Sequence, residues 1–326
     1  MKKIGLTGIY FPGALEALRE NVPEGFELVE GIEPEDFPKL AECEYLITRL
    51  KVDESLLNTT PNLKLIQRWG AGYNDMDLKA WGARDIPIST CPGVNSGIAA
   101  ELTIMLMLAV YRNLLPINRK ILNNVWPKTE YFGRSYMING KTVGIIGLGN
   151  IGSKVAKLVT AFGATVQYYD IERKYELEEQ YGYKFVSQDE LLRTSDIVTL
   201  HTPLTDLTRN MIDAEALAKM KPLAVLINAA RGPIVDEDAL VDALENGRLL
   251  GAGLDTYANE PLSPDNKLVR LDNVVASAHA GGNTKDNDIN MVNYCYSNIV
   301  SFDKGLPFNS KRDVVNKEFL ATPVID

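Results

Sequence analysis

The sequence predicts an α/β chain made of two parallel-sheet units, and three observations carry that expectation. Short apolar strand candidates alternate with helical stretches along most of the chain, the pattern of β-α-β connections. A glycine-rich turn (Gly147, Leu148, Gly149, Asn150, Ile151, Gly152) stands between a β-rich run and a helical run. The length, 326 residues, is what two domains need.

Taken in order, strand candidates in the first hundred residues are 3–9, 26–30, 45–48, 63–69 and 86–89, with helical stretches between them. That alternation predicts a flavodoxin-like parallel sheet. A helical run follows at 98–115, apolar on nearly every face through Leu102, Ile104, Met105, Leu106, Met107, Leu108 and Val110. A helix apolar all round is buried. Glu101 and Arg112 near its ends, and its short apolar centre, argue against a membrane span. The second unit reads as strands at 141–146, 165–169, 196–200, 224–230, 250–257 and 274–278. A helix at 284–303 and the segment 306–326 return to the first unit. The expected division is therefore a substrate domain at 1–98 with 286–326, and a Rossmann-type dinucleotide-binding domain at 99–285.

The turn at 147–152 has specific physical content. Gly147 permits a tight turn, Gly149 lets the backbone approach a pyrophosphate, and Gly152 allows close helix packing. The helix behind it carries Ile151, Val155, Leu158, Val159 and Phe162 at helical spacing, and its N-terminus offers N–H groups to phosphate. Asp170 ends the next strand, 18 residues past Gly152, where an acid binds an adenosine ribose. A carboxylate there repels a 2′-phosphate, so NAD is expected over NADP. Arg173, close behind, would soften that preference.

Three further residues each follow a strand candidate, where ligands gather in open α/β sheets. Arg231 stands between an apolar strand and Gly232-Pro233, and its planar fork suits a carboxylate. Glu260 lies beyond the strand 250–257, and His279 follows the strand 274–278. A carboxylate beside a histidine stabilises the imidazolium and keeps a proton ready for a developing alkoxide. Anchor, acid and proton donor together are what reversible reduction of a 2-keto acid needs. His201, the only other histidine, ends the strand 196–200 and is expected at the cofactor, not in the chemistry.

Composition narrows the classes. A hydrophobic content of 45% and a charged content of 24% are those of a soluble globular protein. A net charge of −9 argues against nucleic-acid or anionic-membrane partners. Three dispersed cysteines give no disulfide framework, and no apolar leader is visible, so a cytoplasmic setting is expected. Two histidines without clustered ligand spacing predict no metal.

These residues resemble the D-isomer-specific 2-hydroxyacid dehydrogenases, from about residue 46 to about residue 315. The motifs are the glycine turn, His201-Thr202-Pro203-Leu-Thr205, Asn228-Ala229-Ala-Arg231-Gly-Pro233, Leu254-Asp255 with Glu260-Pro261, and His279-Ala-Gly281-Gly282. Gly70-Ala71-Gly72-Tyr-Asn-Asp-Met-Asp77, Pro92-Gly-Val-Asn95 and Ala100-Glu101 join them. The resemblance implies that Arg231 binds the substrate carboxylate and polarises the keto oxygen, that His279 moves the proton and that Glu260 tunes it. It implies that Asp255 lies near the nicotinamide carboxamide and that amides around Ala71 and Gly72 help hold the carboxylate. His201, Thr202, Pro203, Ala229 and Gly281 would line the cofactor cleft, and the 98–115 helix would serve an interdomain and homodimer interface. The chain departs from the family pattern at Ile98, at the inverted Asn74-Asp75-Met76-Asp77, and at Ser277-Ala278 before the histidine.

On this scaffold the leading function is NAD-dependent reduction of a small 2-keto acid. Formate dehydrogenases carry glutamine where Glu260 stands, whereas phosphite oxidation stays open. The alternative from another class is an NAD-sensing, corepressor-like binding protein, which would bind cofactor with little turnover. Arg49 and Lys51, after the strand 45–48, would reach a distal anionic group of the substrate; Trp69 would instead wall a smaller pocket.

Overall fold

The structure, a computed structural model, describes residues 1–50 and 54–325; Lys51 lies outside the described residues. The chain divides into two compact units, Met1–Asn95 with Asn283–Asp326, and Ser96–Gly282.

The first unit contains β1 (Lys2–Thr7), α1 (Pro12–Glu20), β2 (Phe26–Glu30), β3 (Tyr45–Thr48), α2 (Glu54–Thr59), β4 (Leu65–Arg68), α3 (Leu78–Gly82) and β5 (Ile88–Ser89). The strands pair in parallel in the order β2-β1-β3-β4-β5, the flavodoxin-like arrangement. Two strands stop earlier than their apolar runs suggest. Gly8 (φ +90°) turns the chain after β1, and Gly70 (φ +119°) turns it after β4. Both are conformations glycine adopts without a side-chain clash. Proline at the first helical position starts α1.

The second unit opens with α4 (Ser96–Tyr111) and α5 (Leu114–Leu122). The single helix expected at 98–115 is thus broken. Asn113 takes a left-handed conformation (φ +51°), which asparagine tolerates better than most residues, and the chain bends there by 66°. Among the described residues no single helix is long and apolar enough to cross a membrane, and α4 is mostly buried. It lies close on the sheet because the strand beneath it is glycine-rich: a Cβ at Gly253 would come 2.8 Å from Leu106 Cβ, and one at Gly251 2.8 Å from Val110 Cγ1.

The remaining elements are β6 (Thr142–Ile146), α6 (Asn150–Ala161), β7 (Thr165–Tyr169), α7 (Tyr175–Tyr181), β8 (Lys184–Phe185), α8 (Gln188–Thr194) and β9 (Ile197–Leu200). After them come α9 (Ala214–Lys219), β10 (Val225–Asn228), α10 (Glu237–Glu245), β11 (Gly251–Leu254) and β12 (Val274–Ala276); α11 (Asp288–Asp303) belongs to the first unit. The seven strands run in the order β12-β11-β10-β9-β6-β7-β8. Counted from β6, this is the Rossmann order 3-2-1-4-5-6 with one strand added. Ile146 and Leu226 enter one apolar cluster while Ile145 and Ile227 enter another, so both faces of the sheet are covered.

Parallel register then fixes one row. Tyr169, Ile146, Leu200, Asn228, Leu254 and Ala276 stand side by side across six strands. The next residue on each strand is Asp170, Gly147, His201, Ala229, Asp255 or Ser277. All six lie at the carboxyl edge of the sheet.

Candidate active site

At that edge the glycine turn is shaped by contacts a side chain would break. Gly147 (φ +95°) donates its N–H to the Tyr169 carbonyl at 2.8 Å, and a Cβ on it would come 2.7 Å from the His201 carbonyl oxygen. A Cβ on Gly152 would come 2.1 Å from the Gly147 carbonyl oxygen, so the helix start rests on the turn itself. Gly149 is different: nothing in the protein lies within 4 Å of a Cβ built there. The space beside it leaves room for a bound group. No side chain caps α6, and its first turn holds no acid. The N–H groups there are left for an anion.

Asp170 braces this turn, accepting from the Leu148 N–H (2.7 Å) and the Glu172 N–H (3.1 Å). Arg173 is committed elsewhere. Its guanidinium pairs with both Glu178 oxygens (2.9 and 2.8 Å) and lies over the Tyr175 ring. The hydrogen bond to Glu178 raises its proton affinity further. Beside Gly147, the Thr202 hydroxyl oxygen and the His201 Nδ1 are buried with no protein partner. His201 Nε2 meets the Thr199 hydroxyl at 2.9 Å. Burial pushes the His201 imidazole down to about 3, so it is neutral near pH 7 and does not store a proton. A capless helix start, an open Gly149 and unpartnered buried polar atoms fit a bound dinucleotide.

Further along the same edge, the remaining candidates follow β10, β11 and β12. The expected strand 224–230 ends at Asn228, because the Asn228 side chain takes over the local hydrogen bonding. Its Oδ1 accepts from the Ala230 N–H (3.1 Å) and its amide donates to the Arg231 carbonyl (3.0 Å). Arg231 emerges half-buried, with Nη1 on the Ala230 carbonyl at 2.6 Å. At Gly232 a Cβ would come 1.8 Å from the Tyr257 carbonyl carbon, so only glycine lets this turn meet the loop after β11.

That loop carries Glu260. One of its oxygens accepts the Tyr257 N–H (3.0 Å), and the other lies 2.7 Å from His279 Nδ1. His279 sits in a left-handed conformation (φ +49°), uncommon for a residue with a side chain. Asp255 holds the turn around it. Its backbone carbonyl accepts the His279 N–H (2.8 Å), and its carboxylate accepts the Ser277 hydroxyl (2.6 Å), the Ala280 N–H (2.8 Å) and the Gly281 N–H (2.9 Å). The Tyr257 hydroxyl donates to the Ser277 carbonyl at 2.8 Å and ties the two loops. Ser277, Tyr257 and Gly232 gave no signal beyond their nearness to the trio, since a hydrogen bond to a distant backbone atom leaves no spacing in the sequence.

The other expected residues lie in the first unit. Arg49 follows β3, with its guanidinium over the Tyr10 ring (5.8 Å) and the Phe11 ring (5.2 Å). Burial, followed by the like charge of Arg68, holds it below the usual arginine range. Ala71 is exposed and Gly72 is half-buried. Their loop is organised by Arg68, which donates to the Leu50 carbonyl, the Gly72 carbonyl (3.2 Å) and Asp75 (3.0 Å). Trp69 packs edge-on against Tyr10.

Residues 104–281, more than half of the chain, match the family described as D-isomer specific 2-hydroxyacid dehydrogenase, NAD binding domain. The chain is 38% identical to a glyoxylate reductase of Thermofilum pendens over 83% of its own length and 80% of the relative's. It is 37% identical to a D-3-phosphoglycerate dehydrogenase of Archaeoglobus fulgidus over 93% of its own length but only 57% of the relative's. Among solved structures, the TT0316 protein of Thermus thermophilus superposes with a TM-score of 0.82 at 32% identity, covering 94% of this chain and 99% of that one.

Proposed function

This chain belongs to the D-isomer specific 2-hydroxyacid dehydrogenase family, and on that premise we propose how its own residues perform the reaction. The chain is an NAD-dependent oxidoreductase acting on 2-hydroxy and 2-keto acids. The observation that carries the assignment of roles is the 2.7 Å contact between His279 and Glu260, at the same sheet edge as Arg231.

Arg231 anchors the substrate carboxylate by two parallel hydrogen bonds. Glu260 engages His279 at Nδ1, so the proton exchanged with the substrate oxygen sits at Nε2. Bound NAD supplies or takes the hydride at the substrate C2. In reduction, His279 delivers its proton as negative charge grows on the keto oxygen; in oxidation it accepts that proton. The pair is open to water, with side-chain exposures of 48% and 35%, so Glu260 contributes orientation of the ring and not fold stability. The glycine turn would hold the cofactor, with the start of α6 offering N–H groups to its phosphates and Asp170 binding its ribose; Thr202, Pro203, Ala229 and Gly281 would line it. The amides near Ala71 and Gly72 are proposed as further ligands of the substrate carboxylate, and Arg49 as a ligand of any second anionic group.

We assign a homodimer as the working form. α5 buries none of its residues, and its last residue Leu122 and, beyond it, Trp126, Phe132 and Met137 are each well over half exposed. Contiguous apolar exposure of that kind favours a partner surface. A monomeric mass by light scattering at assay concentration would remove this assignment. Three buried free thiols suit a reducing, cytoplasmic setting, which cell fractionation tests.

His279→Gln is expected to bind NADH nearly normally and lose on the order of 10²–10⁴-fold in turnover with glyoxylate, hydroxypyruvate, phosphohydroxypyruvate, pyruvate and a branched 2-keto acid. Wild-type turnover on any of them would remove His279 from the chemistry. Glu260→Gln removes the negative charge 2.7 Å from the ring that carries the proton for reduction. The alkaline limb of the reduction profile should therefore move to lower pH; an unmoved limb assigns Glu260 to the loop alone. Wild type should favour NADH over NADPH, because Asp170 repels a 2′-phosphate and Arg173 is held by Glu178. Asp170→Ala should weaken NADH binding in a fluorescence titration and narrow that preference. A wild type better served by NADPH contradicts it.

A further inference from the structure

We infer that Glu237 is a positioning residue for the proton-transfer pair, fixing the segment that carries Glu260 so that its carboxylate meets His279. The inference rests on the assignment of Glu260 and His279 above.

Glu237 is the first residue of α10, where an acid ordinarily offsets the helix dipole. Here that need is met next door, because Asp236 caps the helix by accepting the Ala239 N–H at 3.1 Å. The Glu237 side chain instead leaves its own helix. One oxygen accepts the Ala258 N–H, and the other accepts the Asn266 side-chain amide at 3.2 Å. Asn266 in turn accepts the Leu268 N–H at 2.9 Å, at the first buried apolar residue after the loop. A single carboxylate therefore grips both ends of the stretch 258–266, and Glu260 lies between the two grips.

The stretch needs such a tie. From 258 to 266 every residue is exposed except Leu262 and Asn266, which are half-buried. Leu262 is its one apolar contact with the core, so hydrogen bonds decide where the exposed residues around it rest. On the near side Tyr257 is pinned: its carbonyl sits against Gly232, and its hydroxyl reaches the Ser277 carbonyl. Past Tyr257, Ala258 is the residue through which that fixed point extends toward Glu260, and Glu237 holds its N–H.

Glu237→Ala should lower turnover in keto-acid reduction about tenfold, within the ~10²-fold that a 1 Å misplacement can cost. It should move the alkaline limb of the pH profile in the direction Glu260→Gln moves it, and leave NADH affinity within about twofold, since the phosphates are held elsewhere. Glu237→Gln keeps an acceptor for Ala258 and should fall between wild type and alanine. A helix-dipole role alone would change melting temperature and leave the pH profile in place. The deciding arm is the double variant. If Glu237 acts through Glu260, then Glu237→Ala costs less than about twofold more in a Glu260→Gln background. A full tenfold loss there, or an unmoved pH profile in the single variant, overturns the inference. Should Glu237→Ala fail to fold, Glu237→Gln is judged by the same two criteria. Wild-type behaviour of Glu260→Gln alone would instead overturn the assignment of Glu260, which separates the two failures.

Discussion

Register across one parallel sheet is the constraint on which the rest depends. Because Tyr169, Ile146, Leu200, Asn228, Leu254 and Ala276 share a row, six strands end together. Backbone bonds continue the ladder one residue further: Gly147 donates to Tyr169, His201 to Ile146, Asp255 to Asn228 and Ser277 to Leu254. Both faces of the sheet are covered by apolar packing, so neither can take up a polar ligand. The carboxyl edge is where polar side chains can act. The glycine turn and the Arg231–Glu260–His279 group thus share one edge for one reason.

Within that edge, the histidine is held by its backbone more than by its ring. A left-handed residue with a side chain costs on the order of 1–3 kcal/mol and persists only where its surroundings fix it. Asp255 does the fixing, through a carbonyl on the His279 N–H and a carboxylate that collects three donors from residues 277–281. At 1% exposure, a carboxylate is tolerated because those donors satisfy it. The family resemblance implies an acid near the nicotinamide. In this chain the same carboxylate also shapes the turn on which His279 stands. Ser277, where the family pattern has threonine followed by proline, is one of its donors.

The fold was legible because short apolar, β-rich runs alternate with helical stretches in the sequence as written. The strands at 26–30, 45–48 and 165–169 have the bounds that their composition predicts. The misjudged ends were those where a side chain or a glycine replaces the ladder. Asn228 halts β10 by bonding its own turn, and Asn113 breaks the 98–115 helix through a left-handed residue that periodicity does not register. At the site, residues that announce chemistry by type were readable: an arginine before Gly-Pro, an acid, a rare histidine. Residues that act by touching distant backbone were not. Arg68, Tyr257, Ser277 and Glu237 look ordinary in sequence, and their partners lie between 4 and 29 positions away. Arg173 was legible by position but not by role, because the sequence does not show which acid claims it.

Cofactor choice follows from that last point. A cation three residues past the ribose acid would ordinarily open the pocket to a 2′-phosphate. Glu178 takes the Nε–Nη2 edge of the guanidinium and the Tyr175 and Phe185 rings lie against its face, so that edge is engaged before any ligand arrives. Asp170, meanwhile, cannot leave: it holds the Leu148 N–H and thereby the glycine turn. On the proposed placement of the cofactor, selectivity and phosphate binding would be coupled through one carboxylate.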